Sequence, residues 1–281
     1  NIKTAVAQDD HRTPAICAAR VSCELVSAND ATIGLQVWPL RGLPIVQPGD
    51  DLAELLASAL VPLQPRSGDV LVVTSKVVAK AEGRFVNLRQ VTPSPRALAL
   101  AAETQKDPRL VEVILSESRA ISRAAPGVLI TRHRLGFVSA NAGVDHSNTS
   151  PDPDIVLLMP SDPDSAAKQL HERLSKTFDA HLAVVICDSH GRPHRLGTVG
   201  VAVGVAGMPG VEDWRGRADL FGYRLQHTEI GLADMVASAA TLVMGQAAEG
   251  VPAVLMRGLR FTPRAGSAAE IVRPAQLDLY G

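Results

Sequence analysis

The chain has 281 residues, 46% hydrophobic and 20% charged, with a formal net charge of −1; that is enough for a large core and lacks the basic excess of a nucleic-acid surface. Cys17, Cys23 and Cys187 form no CxxC pair and no even framework, as expected in a reducing, cytoplasmic compartment. No apolar run approaches the roughly 20 residues of a membrane helix, and Asp9, Asp10, His11 and Arg12 stand where a signal peptide would be apolar, so neither membrane insertion nor secretion is expected.

In chain order, residues 1–30 read as an N-terminal extension ahead of a main fold over 31–281. Asp50 and Asp51 can cap a helix whose apolar face is Leu52, Leu55, Leu56, Ala59 and Leu60. Residues 70–73 and 128–130 are apolar runs of strand length, and Pro93, Pro95 and Pro108 punctuate a helical region between them that reaches about Arg123. Pro151-Asp152-Pro153 marks a hinge near 149–154 between two halves. Ser161-Asp162-Pro163 opens a helix with Leu170, Leu174 and Phe178 on one face. Strands at 183–186 and 199–205 follow, then a helix from about Thr228 to Met244 with Glu229 in its first turn, then a strand at 253–256. Strands interleaved with helices give an α/β class, mixed α+β.

Polar chemistry gathers in a few segments. Cys187-Asp188-Ser189-His190-Gly191-Arg192-Pro193-His194-Arg195 follows a buried strand, where α/β proteins place sites, although a polar surface turn would have similar letters. Ser75, Lys76 and Lys80 follow the 70–73 strand; lysine there is a point charge for phosphate or a solvated turn residue, and no P-loop pattern is present. Asp145 and Asn148 lie in a short loop of amides and hydroxyls, able to face a hard cation or a ribose and base edge, or simply to form turns. Gly245, Gln246, Glu249 and Gly250 end the last helix, as a glycine cap or as the edge of a metal or guanine site. Gly200, Gly204 and Gly207 lack the strand–turn–helix context of a dinucleotide fingerprint and read as close-packing glycines. No zinc spacing, serine triad or cysteine nucleophile can be argued. Carboxylates, amides, hydroxyls and lysines form the ligand set of Mg²⁺ or Mn²⁺ with phosphates.

Together these segments resemble the coenzyme F420-0:L-glutamate ligase family, from Gly42-Leu43-Pro44-Ile45-Val46-Gln47-Pro48-Gly49-Asp50-Asp51 through Ser75 to Arg84, Ala140 to Asn148, Asp188-Ser189-x-Gly191-Arg192-Pro193, Arg215 to Gly222, and Met244 to Pro252. The resemblance implies the family's own α/β architecture as an intertwined homodimer. It also implies a reaction in which GTP phosphorylates the terminal carboxylate of a deazaflavin acceptor and the amine of L-glutamate displaces phosphate, with further γ-linked glutamates in some cases. Asp145, Asp188, Ser189 and Gln246 are implied as metal ligands for Mg²⁺ or Mn²⁺, with K⁺ as a further ion, and Asp145, Asp188 and Arg192 as the catalytic set. Leu43, Pro44, Ile45, Val46, Ser75, Lys80, Asn148 and the loop carrying Gly245, Gln246, Glu249 and Gly250 are implied nucleotide contacts. Cys187, Ser189, His190 and His194 replace the Ser, Thr and two aromatics usual in the family loop; Ser189 keeps an oxygen, while the imidazoles alter pocket shape and polarity. A paralogous ligase for a different acid, and a non-catalytic nucleotide- and metal-binding module, are the competing readings.

Overall fold

The computed structural model describes residues 34–277, so the N-terminal extension expected over 1–30 lies outside the described residues, as do Cys17 and Cys23. Among the described residues, twelve strands are interleaved with six α-helices, a mixed α/β arrangement. The order is β1 (Gln36–Pro39), α1 (Leu52–Leu60), β2 (Val70–Thr74), α2 (Ser75–Ala81), β3 (Phe85–Asn87), α3 (Pro95–Thr104), α4 (Pro108–Ser116), β4 (Ser118–Ala125), β5 (Val128–His133) and β6 (Val138–Ala140). Then come β7 (Ile155–Leu157), α5 (Pro163–Phe178), β8 (Ala183–Arg192), β9 (Arg195–Ala206), β10 (Glu212–Asp213), β11 (Glu229–Ile230), α6 (Leu232–Met244) and β12 (Ala253–Arg257).

The central sheet runs β1-β12-β2-β8-β9, with β2 and β8 parallel and the other neighbours antiparallel. Its inner strands are apolar on both faces because both faces are covered. Leu71, Val73, Val184, Ile186 and Leu255 pack with Leu52, Leu56 and Leu60 of α1 and Leu170 and Leu174 of α5. Val70, Val72, Val185, Val254 and Met256 pack with Ala233, Val236, Ala237 and Ala240 of α6. Asp51 caps α1 by accepting from the Glu54 N–H at 3.1 Å, and Asp162 caps α5 by accepting from Ser165 at 3.0 Å.

The glycines of β9 set how closely the helices approach. A Cβ on Gly200 would stand 2.4 Å from the Ala237 carbonyl oxygen of α6, and one on Gly204 would stand 2.3 Å from the Pro163 carbonyl oxygen of α5. They are packing glycines inside a strand, not a dinucleotide turn.

Three local expectations change. The helical region thought to reach Arg123 ends at Ser116, and residues from Ser118 turn into β4. Pro126 and Gly127 close a hairpin there (Gly127 φ 77°), offering β4 an antiparallel partner in β5 that outweighs helical propensity. The last helix begins at Leu232, because Glu229 and Ile230 pair with β10; Asp234, not Glu229, is the acid in its first turn. The strand expected to end at Ile186 continues through the charged stretch to Arg192, paired with β9 to the Arg192–Arg195 step.

A second, three-stranded sheet, β4-β5-β6, is tied to the rest by a buried carboxylate. Glu117 accepts from Arg84 and Arg134, each at 3.1 Å, while His133 Nε2 approaches to 3.4 Å without hydrogen-bond alignment. Burial alone would raise the Glu117 carboxyl, but His133, Arg134 and Arg84 outweigh it and bring it from 4.5 to about 2. The folded value lies below the unfolded one, so this stabilisation is complete above about pH 5 and fades as pH falls toward 2. Glu117→Gln should therefore destabilise the protein at pH 7 by on the order of 3 kcal/mol and flatten the loss of stability on acidification. Urea unfolding at pH 7 and pH 3 checks this; parallel profiles for the two proteins would contradict it.

Candidate active site

β2 passes directly into α2, so Thr74 ends the strand and Ser75 is the first helical residue. Because β8 is the parallel neighbour and Thr74 pairs with Cys187, the next residue of each chain segment projects beyond the shared end of the two strands. Carboxyl ends of parallel strands are where open α/β sheets place ligands. There the buried Ser75 Oγ donates to Asp188 Oδ1 at 2.8 Å.

Asp145 arrives from the second sheet. After β6 the chain makes a tight turn, with Asn141, Ala142 and Gly143 all at positive φ, and a Cβ on Gly143 would lie 2.8 Å from the Met159 side chain. Asp145 then exchanges two backbone hydrogen bonds with Leu157, at 3.0 and 2.9 Å, which fixes where its side chain starts. Its Oδ1 accepts from the Ser147 N–H at 2.7 Å, and its Oδ2 accepts from Lys76 Nζ at 2.7 Å and Ser147 Oγ at 3.0 Å. Burial raises the Asp145 carboxyl, but the Lys76 hydrogen bond and charge, with Ser147, leave it below the ordinary carboxylate value.

The remaining segments are joined in pairs. Lys80 Nζ donates to the Asn148 carbonyl at 2.7 Å, and Asn148 Nδ2 donates to the Ala247 carbonyl at 2.7 Å. Burial first, then the neighbouring Lys76 charge, lowers the Lys80 ammonium. Ser189 Oγ donates to Gln246 Oε1 at 2.7 Å, and Glu249 accepts from the Ala247 N–H at 2.8 Å. Gly245 (φ 75°) holds a backbone conformation that L side chains rarely adopt, which favours glycine there. Asp188 and Ser189 are successive strand residues and so turn to opposite faces of β8, Asp188 toward α2 and Ser189 toward the end of α6.

Other expected residues stand apart from these contacts. Arg192 donates to the Leu196 carbonyl at 3.2 Å near the tip of the β8–β9 hairpin. In the segment Leu43, Pro44, Ile45 and Val46, Val46 is buried in the core while the Ile45 side chain is 78% exposed. His190 is buried, its ring 5.2 Å from that of Phe137, and its Nε2 lies 3.1 Å from Asp188 Oδ2 but out of line for a hydrogen bond. With Asp234, Arg132 and Phe137 it lines a cavity of about 330 Å³. His194 forms the hairpin turn at φ 58°. Burial and then Asp188 push the Cys187 thiol up to about 12, which leaves it inert. The sequence offers Lys76 as a charge for phosphate or a solvated turn residue; its pairing with Asp145, and the part of Ser147 in that contact, have no sequence signal beyond adjacency to Ser75 and spacing from Asp145.

The side chains gathered here are carboxylates, hydroxyls, amides and lysine ammoniums, a set that suits a hard divalent ion and phosphate rather than zinc. Among the described residues no three His, Cys, Asp or Glu side chains are grouped to hold a metal. An ion fitting this set would complete its shell from water and phosphate, as Mg²⁺ habitually does.

A family model for F420-0:gamma-glutamyl ligase matches residues 42–258, which contain all of these contacts. The chain belongs to that family. It is 48% identical over 256 residues to the coenzyme F420:L-glutamate ligase of Methanopyrus kandleri, covering 88% of this chain and 99% of that protein. Proteins of the same name from Methanothermobacter thermautotrophicus and Archaeoglobus fulgidus are 43% and 40% identical, over 88% and 87% of this chain and 99% and 96% of theirs.

Proposed function

We propose that this member of the family joins L-glutamate to the terminal carboxylate of coenzyme F420-0 in a GTP-dependent ligation. The relatives' names support the acceptor and the amino acid. The observation that carries the chemistry is that Ser75 and Lys76, adjacent in sequence, each hold one of two acids from distant segments. Two carboxylates, one held by a lysine and one by a hydroxyl, suit a reaction in which charge, more than a protein nucleophile, must be managed.

In this scheme an acceptor carboxylate oxygen attacks the γ-phosphorus of GTP, and GDP leaves with the bonding electron pair. The glutamate amine then attacks the acyl carbon, phosphate departs, and the amine's proton passes to solvent. Repetition on the new γ-carboxylate would extend the chain. Asp145 and Asp188 beside α2, and Ser189 with Gln246 at the end of α6, would hold Mg²⁺ or Mn²⁺ from the two sides of β8, with K⁺ as a further ion, and such ions neutralise phosphate charge when bound. Lys80 supplies a point charge beside the phosphates, and Ser75 keeps Asp188 oriented. Asn148 and the loop with Gly245, Gln246, Glu249 and Gly250 would frame the nucleotide, and the exposed Ile45, with Leu43 and Pro44, would contact its base, while the buried Val46 anchors that segment in the core. Arg192, at the hairpin, would meet the anionic acceptor tail.

Asp145→Asn and Asp188→Asn should each cut glutamate-dependent phosphate release from GTP by at least about a hundredfold, with circular dichroism unchanged, because an amide binds a hard divalent ion far less well. Near-wild-type rates for both at saturating Mn²⁺ would remove these acids from the site. Phosphate release that needs no glutamate would instead favour a nucleotide-binding module, and release only with a different acid would favour a paralogous ligase.

The working unit is proposed to be a homodimer. Leu196, Leu220 and Phe221 are 99%, 98% and 96% exposed, and the last two sit between β10 and β11. Large apolar side chains so fully exposed suit a partner surface. Light scattering at micromolar concentration should give twice the 29.6 kDa chain mass; a monomer mass would contradict the proposal.

A further inference from the structure

Lys76 has no assigned part in the ligation, yet its ammonium is among the most completely satisfied groups at the site. Asp145 Oδ2 lies 2.7 Å away, Ser147 Oγ lies 3.0 Å away, and the Ser147 carbonyl is the third acceptor. An ammonium has three donors, and here each can meet one oxygen. Carboxylate, hydroxyl and carbonyl oxygens are equally the donors of a hard metal ion.

The oxygen cage does not depend on the lysine. The Ser147 N–H and Oγ both donate to the Asp145 carboxylate, at 2.7 and 3.0 Å, Thr149 Oγ1 donates to the Asp145 carbonyl at 3.2 Å, and the Asp145 backbone is paired with Leu157. The cation comes from α2, across the cleft, on a flexible four-carbon stem. The side chains are 23% exposed for Lys76 and 44% for Asp145, so solvent can reach the pair and exchange its partners.

We propose that Lys76 is a built-in counter-cation that competes with the divalent ion for Asp145, yielding that carboxylate when ion and nucleotide bind and turning its charge toward the phosphates. This rests on the reading of Asp145 as a metal ligand. A divalent ion beside a fixed ammonium would be repelled, whereas a departing ammonium both frees the oxygens and adds a positive charge to the phosphate side. The competing role is a fixed strut that merely orients Asp145. The two differ in sign: loss of a competitor tightens ion binding, and loss of a strut weakens it or leaves it unchanged.

The test is Mn²⁺ titrated into nucleotide-free protein, with free Mn²⁺ followed by electron paramagnetic resonance. Lys76→Met and Lys76→Gln should bind Mn²⁺ tighter than wild type by about fivefold or more, the scale of a partly screened ion pair, and Lys76→Met/Asp145→Asn should lose the gain. Unchanged or weaker Mn²⁺ binding in both lysine variants, with Asp145→Asn still weaker than wild type, would overturn the role of Lys76 and leave the metal reading standing. Mn²⁺ affinity indifferent to Asp145→Asn and Asp188→Asn would overturn both. Circular dichroism accompanies each titration: Lys76→Gln keeps a polar group in the cage if Lys76→Met unfolds, and unfolding of both would establish the strut.

Discussion

The hydrogen bond from Ser75 Oγ to Asp188 joins residues 113 apart in sequence, and the rest of the site depends on where it lies. It exists because β2 and β8 are parallel neighbours whose last shared pair is Thr74–Cys187. One residue further on, the chain from β2 leaves the sheet as α2 while β8 runs on beside β9, and Ser75 meets Asp188 there. Because α2 starts without an intervening loop, Lys76 is placed one residue on, where it reaches Asp145 in the segment that follows β6. A single strand-to-helix junction thus places a hydroxyl against one carboxylate and an ammonium against the other. Moving either strand by one residue would reverse which face each side chain occupies.

The two sheets are linked by more than the lysine. From Glu117 a line of packed groups runs through His133, stacked at 4.7 Å on Phe137, to His190 and so to the flank of Asp188. The His190 ring is a packing element between β8 and the second sheet. It is buried, with Phe137 on one side and the carboxylate of Asp188 beside Nε2.

Much of the architecture was legible because its causes are local. Contiguous apolar residues at 70–73, 183–186 and 253–256 foretold strands buried on both faces, and Asp51 and Asp162 were readable as caps. The misread places are those where a distant partner decides. β8 continues through Asp188 to Arg192 because β9 supplies its hydrogen bonds, and charged letters alone suggest a loop. Glu229 has helical surroundings in sequence but is claimed by β10. At the site, the pairing of Lys76 with Asp145 spans 69 residues and has no pattern of its own, while the neighbouring Lys80 offered an equally plausible charge. Local chemistry named the acids; only the fold says which cation sits on which.

Ligation of glutamate to the deazaflavin acceptor at the cost of GTP is tested most directly by the mass of the product. The protein is incubated with GTP, Mn²⁺, L-glutamate and F420-0, and the acceptor is then weighed by mass spectrometry, with GTP or glutamate omitted in parallel. The expected result is an acceptor heavier by one or more glutamyl residues, with at least one GDP per residue added, and no change when either GTP or glutamate is left out. An acceptor of unchanged mass while GTP is consumed, or one that gains glutamate without GTP, would contradict it.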